Sequence, residues 1–475
     1  MSPPVAIEDA NKWVAERYVG FQPNTGRIKP VHVANGLFRQ ALGKKFCTKG
    51  LINILLCKDT QNVYSECRTN EYITDEMPLD QFEELRTTLR SIVSVDDGVY
   101  EDGMDSHSAA NQVFVSNDRV GQESGQFIAA WLKKYEPDLL RILIKSLEDP
   151  QDEITRIFVP ILPKDEEVHI SRYSLPEENL LLNGGNTSGA ADTLIGEFKC
   201  AGHTLAKNLE GSESTLYSVR LIVRYACLQV IRHMANLERF YLEEELEPQP
   251  LLLMFADNPG IKLVSKNTYS AACQAMSRFY AFAYGKYLED KLLLEPDELL
   301  ELQPPTLRGK LRPGGEDIWK DAISYRDDFN DPYSALGNSM FELVTSHRNY
   351  GPVEYFRTLG RKIGISQPKN QTHQWYKPKP EMMDLLLKCA LVPGETVELH
   401  ELIERLWRRF GFVIGARGGC IEALVRARAP FVTHEMLKEN EGAFARSLVE
   451  NGLARSLPDG VLMITTNELT GSQND

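Results

Sequence analysis

Apolar residues step by three or four positions along 214–243. Leu216, Val219, Val223, Cys227, Val230, Met234, Leu237 and Tyr241 make one stripe, and Leu221, Tyr225, Leu228 and Ile231 a second. A helix apolar on two sides is buried between neighbours, and at 1.5 Å per residue this one would run about 45 Å. Its predicted partner is 268–292, where Met276, Phe279, Tyr280, Ala283, Tyr284 and Tyr287 align. An aromatic stripe of this kind points to core packing before a cofactor. After Pro78, the spacing of Phe82, Leu85, Leu89 and Val93 predicts another helix, and 125–147 reads as helix broken near Pro137. Residues 157–163, 168–173 and 251–255 are strand-like, and 51–57 is a strand or a buried helix.

Toward the C-terminus the pattern becomes denser. EMMDLLLKCAL (381–391) carries Met382, Leu385, Leu386 and Ala390 at helical spacing, and Pro393-Gly394 stops it. Glu395 to Glu398 reads as a short strand. HELIERLWRRF (400–410) puts Leu402, Ile403, Leu406, Trp407 and Phe410 on one side and ends at Gly411, where a left-handed cap is favoured. Thr433 is placed to N-cap a last helix that runs to Gly452, and Pro458-Asp459-Gly460 separates two strand-like runs as a hairpin turn. Helix, strand, helix, helix, hairpin is the order of a winged helix.

The expected fold class is therefore mainly α with minor β, a multi-domain helical protein with a C-terminal winged-helix-like domain. The expected divisions are a mixed, mostly helical 1–150, a central helical 151–293, a Pro/Gly-rich linker 294–344, a basic winged-helix-like 345–468 and a disordered tail 469–475. The 475 residues are 42% hydrophobic and 25% charged, ordinary globular composition with length for several cores. MSPPVAIEDANKW has no basic start and no apolar run, and no stretch reaches the roughly 18 apolar residues of a membrane span. Eight cysteines without a CxxC pair read as free thiols, so the expectation is a cytoplasmic protein without membrane contact.

Charge is unevenly distributed. The chain is −14 overall, yet 345–430 sums to +6, leaving −16 on 1–344 and −4 on 431–475. A polyanion would dock on the basic third. The candidate contacts for nucleic acid or a partner are Arg361, Lys362, Trp375, Lys377, Lys379, Arg405, Arg408, Arg409 and Arg417, with Gln374-Trp375-Tyr376-Lys377-Pro378-Lys379 offering aromatics among cations. The helix before the hairpin holds Glu435, Glu439, Glu441 and Glu450 against Lys438 and Arg446, a poor surface for phosphates.

Candidate chemistry is sparse. Gly184 to Gly189 has the spacing of a phosphate-binding loop, but Ala190 and Ala191 stand where Lys and Ser/Thr are required. Glu197-Phe-Lys199, after an apolar run, has the form of a PD-(D/E)xK nuclease pair at the end of a strand, in which the carboxylate holds Mg²⁺ and the lysine activates water. No acid on a preceding strand accompanies it, and Glu289-Asp-Lys291 repeats the pattern inside a helix. Cys200-Ala-Gly-His203 is half a zinc site without a second half, and His400-Glu401 lacks a zincin's second histidine. Asp327, Asp328 and Asp331 read as a turn. These residues call for no cofactor.

The run LLLKCALVPGETVELHELIERLWRRFGFVIG (385–415) resembles C-terminal segments of uncharacterised bacterial proteins encoded in multi-gene antiphage defence clusters. The resemblance implies a cytoplasmic subunit acting beside a helicase, methyltransferase or nuclease supplied by other genes, and transfers no site residue. The expectation is a non-catalytic accessory subunit of a multi-protein system acting on DNA, whose partners are the other subunits and whose C-terminal domain contacts DNA or a partner protein. The alternatives are a metal-dependent nuclease using Glu197 and Lys199, and a protein scaffold without nucleic-acid affinity.

Overall fold

The computed structural model describes residues 5–23, 28–42, 44–45, 59–69, 77–93, 122–148, 168–169, 181, 189–212, 214–242, 247–292, 303–306, 309–311, 314–324, 332–345, 351–368, 374–416, 420–427, 429, 432–458 and 461–465. Several expectations lie outside them: the runs 51–57 and 157–163, the glycines 184–185, Asp327 to Asp331, Arg417, Asp459-Gly460 of the predicted hairpin turn and the tail 469–475.

The protein is mainly α with small sheets. The N-terminal elements are α1 (Ile7–Val14), α2 (Pro30–Leu42), β1 (Lys44–Lys45), α3 (Thr60–Thr69), α4 (Leu79–Val93), α5 (Gln122–Tyr135) and α6 (Pro137–Glu148), with α5 and α6 meeting at Pro137. β2 (Val168–His169) pairs antiparallel with β1. Then come α7 (Gly189–Leu209), α8 (Thr215–Ala235), α9 (Leu237–Tyr241), β3 (Leu251–Leu252) and α10 (Pro259–Leu292). Helix α8 is the buried axis foreseen from its two stripes; Leu221 through Leu228 and Val230 through Ala235 are all buried.

Three expectations change in detail. The predicted helix 214–243 is divided at Asn236 (φ −106°, ψ 8°), whose side-chain nitrogen donates to Arg232 O at 2.8 Å while its oxygen accepts Gln249 N–H at 2.8 Å. The partner helix starts at Pro259 rather than 268, because Asn258 Oδ1 accepts the N–H groups of Gly260 (2.8 Å) and Ile261 (3.3 Å) and caps it. Within the predicted linker, α11 (Gly315–Ser324) and α12 (Pro332–Thr345) form and bury Trp319, Leu336, Met340, Leu343 and Val344. Helix α12 lies close on α10 because both glycines at the crossing lack a side chain: a Cβ on Gly337 would sit 2.2 Å from Ala281 O, and one on Gly285 2.8 Å from Tyr333 O.

The C-terminal part runs α13 (Pro352–Lys362), β4 (Ser366–Gln367), β5 (Trp375–Tyr376), α14 (Pro380–Ala390), β6 (Thr396–Glu398), α15 (Leu399–Phe410), β7 (Phe412–Val413), α16 (Cys420–Arg426), α17 (His434–Glu450), β8 (Ala454–Ser456) and β9 (Leu462–Thr465). Gly411 caps α15 at φ 73°, and Thr433 accepts Met436 N–H at 3.2 Å to open α17. β6, β9 and β8 form one antiparallel sheet in that order, with Val397 and Ala454 both opposite Ile464. β7 leaves this group and pairs parallel with β3, Leu251 opposite Phe412. One buried apolar cluster contains Val5, Phe127, Tyr225, Phe279, Leu385, Phe444 and Ile464, so residues from near both ends of the chain share a core. Among the described residues no helix is long and apolar enough to cross a membrane.

Candidate functional site

Helix α13 ends in Arg361-Lys362, and Gly364 (φ 81°) turns the chain into the β4–β5 hairpin, Ser366 opposite Tyr376 and Gln367 opposite Trp375. The returning strand is held to the turn by Lys377 N–H to Ile365 O (3.0 Å) and Lys379 N–H to Gly364 O (2.9 Å). These bonds bring Arg361, Lys362, Lys377 and Lys379 to one end of the hairpin. Lys377 and Lys379 are exposed, while Arg361 and Lys362 are half-buried and engaged with neighbouring groups.

Strand β5 is pinned to α10 by alternation. Tyr376 points inward and is buried, its N–H bonded to Ser265 Oγ (2.9 Å) and its carbonyl accepting Met254 N–H (2.9 Å). Trp375 points the other way and is half-buried beneath two lysines of α10, Lys262 Nζ lying 4.1 Å and Lys266 Nζ 5.4 Å from the ring centroid. A cation over an indole face is attracted by the ring quadrupole, which fixes both ammonium groups beside the hairpin. Five of the nine predicted residues therefore converge, joined by two lysines that the sequence reading missed. Their signal was their spacing of four on one helix face, but they lie more than a hundred residues before Trp375.

The arginines of α15 have other work. Arg405 binds Glu395 through two nitrogens (2.7 and 3.0 Å), Glu401 at 2.6 Å and Ala390 O at 2.9 Å. The hydrogen bonds from Arg405 hold the Glu395 carboxyl below its usual range. Arg409 donates to Cys389 O, to Ala390 O (3.1 Å) and to Thr204 Oγ1 of α7 (3.1 Å). Both guanidiniums thus cover the last carbonyls of α14, where a helix end favours cations. Arg408 is exposed and paired with Glu404. The charge of 401–410 that looked available for a polyanion is largely engaged within the fold.

Helix α17 is also occupied along one face. Asn440, fully buried, accepts the N–H groups of Phe255 (2.8 Å) and Ala256 (3.0 Å) and donates to Leu253 O (2.8 Å) and Ile414 O (3.0 Å). Phe444 packs on Phe255 with ring centroids 4.6 Å apart, and Asn258 donates to Glu439 at 2.7 Å.

Glu197 and Lys199 lie in the middle of the 21-residue helix α7. The nuclease reading required the end of a strand; the apolar run 194–198 instead serves a helix face, with Leu194, Ile195 and Phe198 buried. Cys200 Sγ bonds back to Gly196 O, and His400 Nδ1 pairs with Glu398 at 2.9 Å. Among the described residues, no three or more His, Cys, Asp or Glu side chains are grouped to hold a metal ion.

One ionisable cluster is wholly internal. Glu136, at the α5–α6 break, accepts Trp131 Nε1–H (3.1 Å) and Tyr225 O–H (2.9 Å) on Oε1, while Oε2 is buried without a hydrogen-bond partner. Burial pushes its pKa up to about 7, against the opposing pull of Arg232. Arg232 directs its guanidinium to the carbonyls of Arg409 (2.7 Å) and Phe198 (3.3 Å) and stacks 3.8 Å from the Phe198 ring centroid. His233 contacts Val19 O at 2.9 Å, and burial pushes its pKa down to about 4.

No protein-family model matches this chain, and no curated protein is similar to it in sequence.

Proposed function

We propose that this protein is a non-catalytic accessory subunit of a bacterial multi-protein system acting on DNA, of the antiviral-defence kind that residues 385–415 resemble, and that it works in the cytoplasm beside its other subunits. The observation that carries the DNA contact is the hairpin cluster: Lys262, Lys266 and Trp375 stacked together, with Lys377 and Lys379 exposed beside them. Cations distributed along a surface with an aromatic side chain suit a phosphate backbone and its bases. The order α14, β6, α15, β7, α16, α17, β8, β9, with β9 between β6 and β8 in the sheet, supports reading this stretch as a winged helix in which β7 and α16 stand between the second and last helices. In this reading α17 is not the groove-entering helix, because its buried face is bound to residues 253–258 and its remaining charges are mostly acidic. The module supports the hairpin, and the hairpin makes the contact.

The engaged arginines of α15 and the acidic α17 favour a second reading, a protein scaffold whose C-terminal module binds a partner subunit. Fluorescence anisotropy with labelled single- and double-stranded DNA separates the two. Binding that weakens steeply as salt rises supports the first, and no binding at low salt supports the scaffold.

A further inference from the structure

The hairpin offers charge but no stacking platform. Trp375 packs on the apolar cluster that holds Leu252, Ile261, Val264 and Trp407, while Lys262 Nζ lies 4.1 Å and Lys266 Nζ 5.4 Å from its ring centroid. Its indole Nε1–H is buried and has no acceptor. Stacking a base on this ring would displace lysine or core contacts, and the N–H is out of a base's reach. Tyr376, the other aromatic of β5, is 1% exposed, and its hydroxyl is buried too.

What remains open is cationic. Tyr376 is buried between half-buried Trp375 and exposed Lys377, and Lys379 is exposed beyond Pro378, so alternation along this stretch turns Trp375, Lys377 and Lys379 the same way. Lys262 and Lys266 stand about one turn apart on α10, a rise of about 6 Å. Among the described residues, no carboxylate pairs with any of these four lysines. Such ammonium groups, set along two adjoining elements, meet phosphates as point charges. Duplex DNA carries one charge per about 1.7 Å of its axis. It therefore brings more phosphates within reach than a single strand does, and phosphate contacts need no base.

We infer, resting on the DNA contact proposed above, that the hairpin surface takes double-stranded DNA by its phosphate backbone and stacks on no base. The test is fluorescence anisotropy of the full chain with labelled ligands of equal length: a duplex, a single strand and an abasic single strand, each over a salt series. The duplex should bind most tightly, with log Kd rising against log salt at a slope of about 3.6 for four phosphate contacts. The two single strands should bind alike and more weakly, because removing the bases removes nothing that the surface touches. Lys262→Gln with Lys266→Gln should lower the duplex slope by about 2 and leave that equality intact. A single strand that binds as tightly as the duplex, or that loses about tenfold or more when its bases are removed, overturns the inference while leaving DNA contact standing. An unchanged slope in the folded lysine variant also overturns it, by taking α10 out of the contact. No binding of any of these ligands at low salt overturns the DNA reading itself, and this inference with it.

Discussion

Asn440 shows how much one side chain can hold. Both ends of its amide are bonded, two backbone N–H groups on the oxygen and two carbonyls on the nitrogen, so removing it strands four backbone polar groups at once. Asn440→Leu should cost about 3 kcal/mol in urea unfolding. Asn440→Asp should also destabilise, since an oxygen then faces the carbonyls of Leu253 and Ile414. Glu136 makes a different prediction. Its folded pKa of about 7 lies above the ordinary value of 4.5, with Arg232 and Tyr225 on α8 and Cys389 on α14 as its titratable neighbours. Between those two pH values the folded chain holds a proton that the unfolded chain releases, so this group's contribution to stability falls as pH rises through the window and is level above it. Glu136→Gln should remove that slope, an effect on the order of 1 kcal/mol or more across the window, read from unfolding midpoints at several pH values. Equal slopes in both proteins would mean that Glu136 is ionised in the fold.

Adjacent arginines on one helix separate by what they touch. Arg409→Ala uncovers the carbonyl of Cys389 and removes the bond to Thr204, with Ala390 O left to Arg405, and should cost about 2 kcal/mol, whereas Arg408→Ala loses one exposed pair and should fall within about 0.5 kcal/mol of the parent. Periodicity made the elements themselves readable: the two stripes of α8, the one-sided α15 with Gly411 behind it, and the Thr433 cap of α17. It could not show the division at Asn236, whose side chain accepts a bond from Gln249 thirteen positions on. Nor could it show α11 and α12, short helices between prolines whose apolar residues find their surfaces in distant packing, α12 on α10 and α11 on α12. The apolar run before Glu197 was too short to separate strand from helix. Of the candidate site, the basic residues and Trp375 stood out by composition. Which of them are engaged internally, and that α10 supplies Lys262 and Lys266, depends on contacts between distant segments.

For the whole molecule, charge and connection set the picture. A chain of net −14 carries its basic surplus on 345–430, and the C-terminal elements are joined to the central helices by the β3–β7 pairing, by Arg409 to α7 and by Asn440. The hairpin surface is accordingly composite: Lys262 and Lys266 come from the central helix α10, Trp375, Lys377 and Lys379 from the C-terminal third. The most direct measurement is the salt dependence of DNA affinity for the native chain and for Lys377→Glu with Lys379→Glu, two exposed positions whose reversal should leave the unfolding midpoint unchanged. If the hairpin meets the phosphate backbone, the slope of log Kd against log salt should fall by about 2 in the variant and affinity at low salt should drop steeply. An unchanged slope and affinity in a folded variant would contradict the account and move the contact off the hairpin.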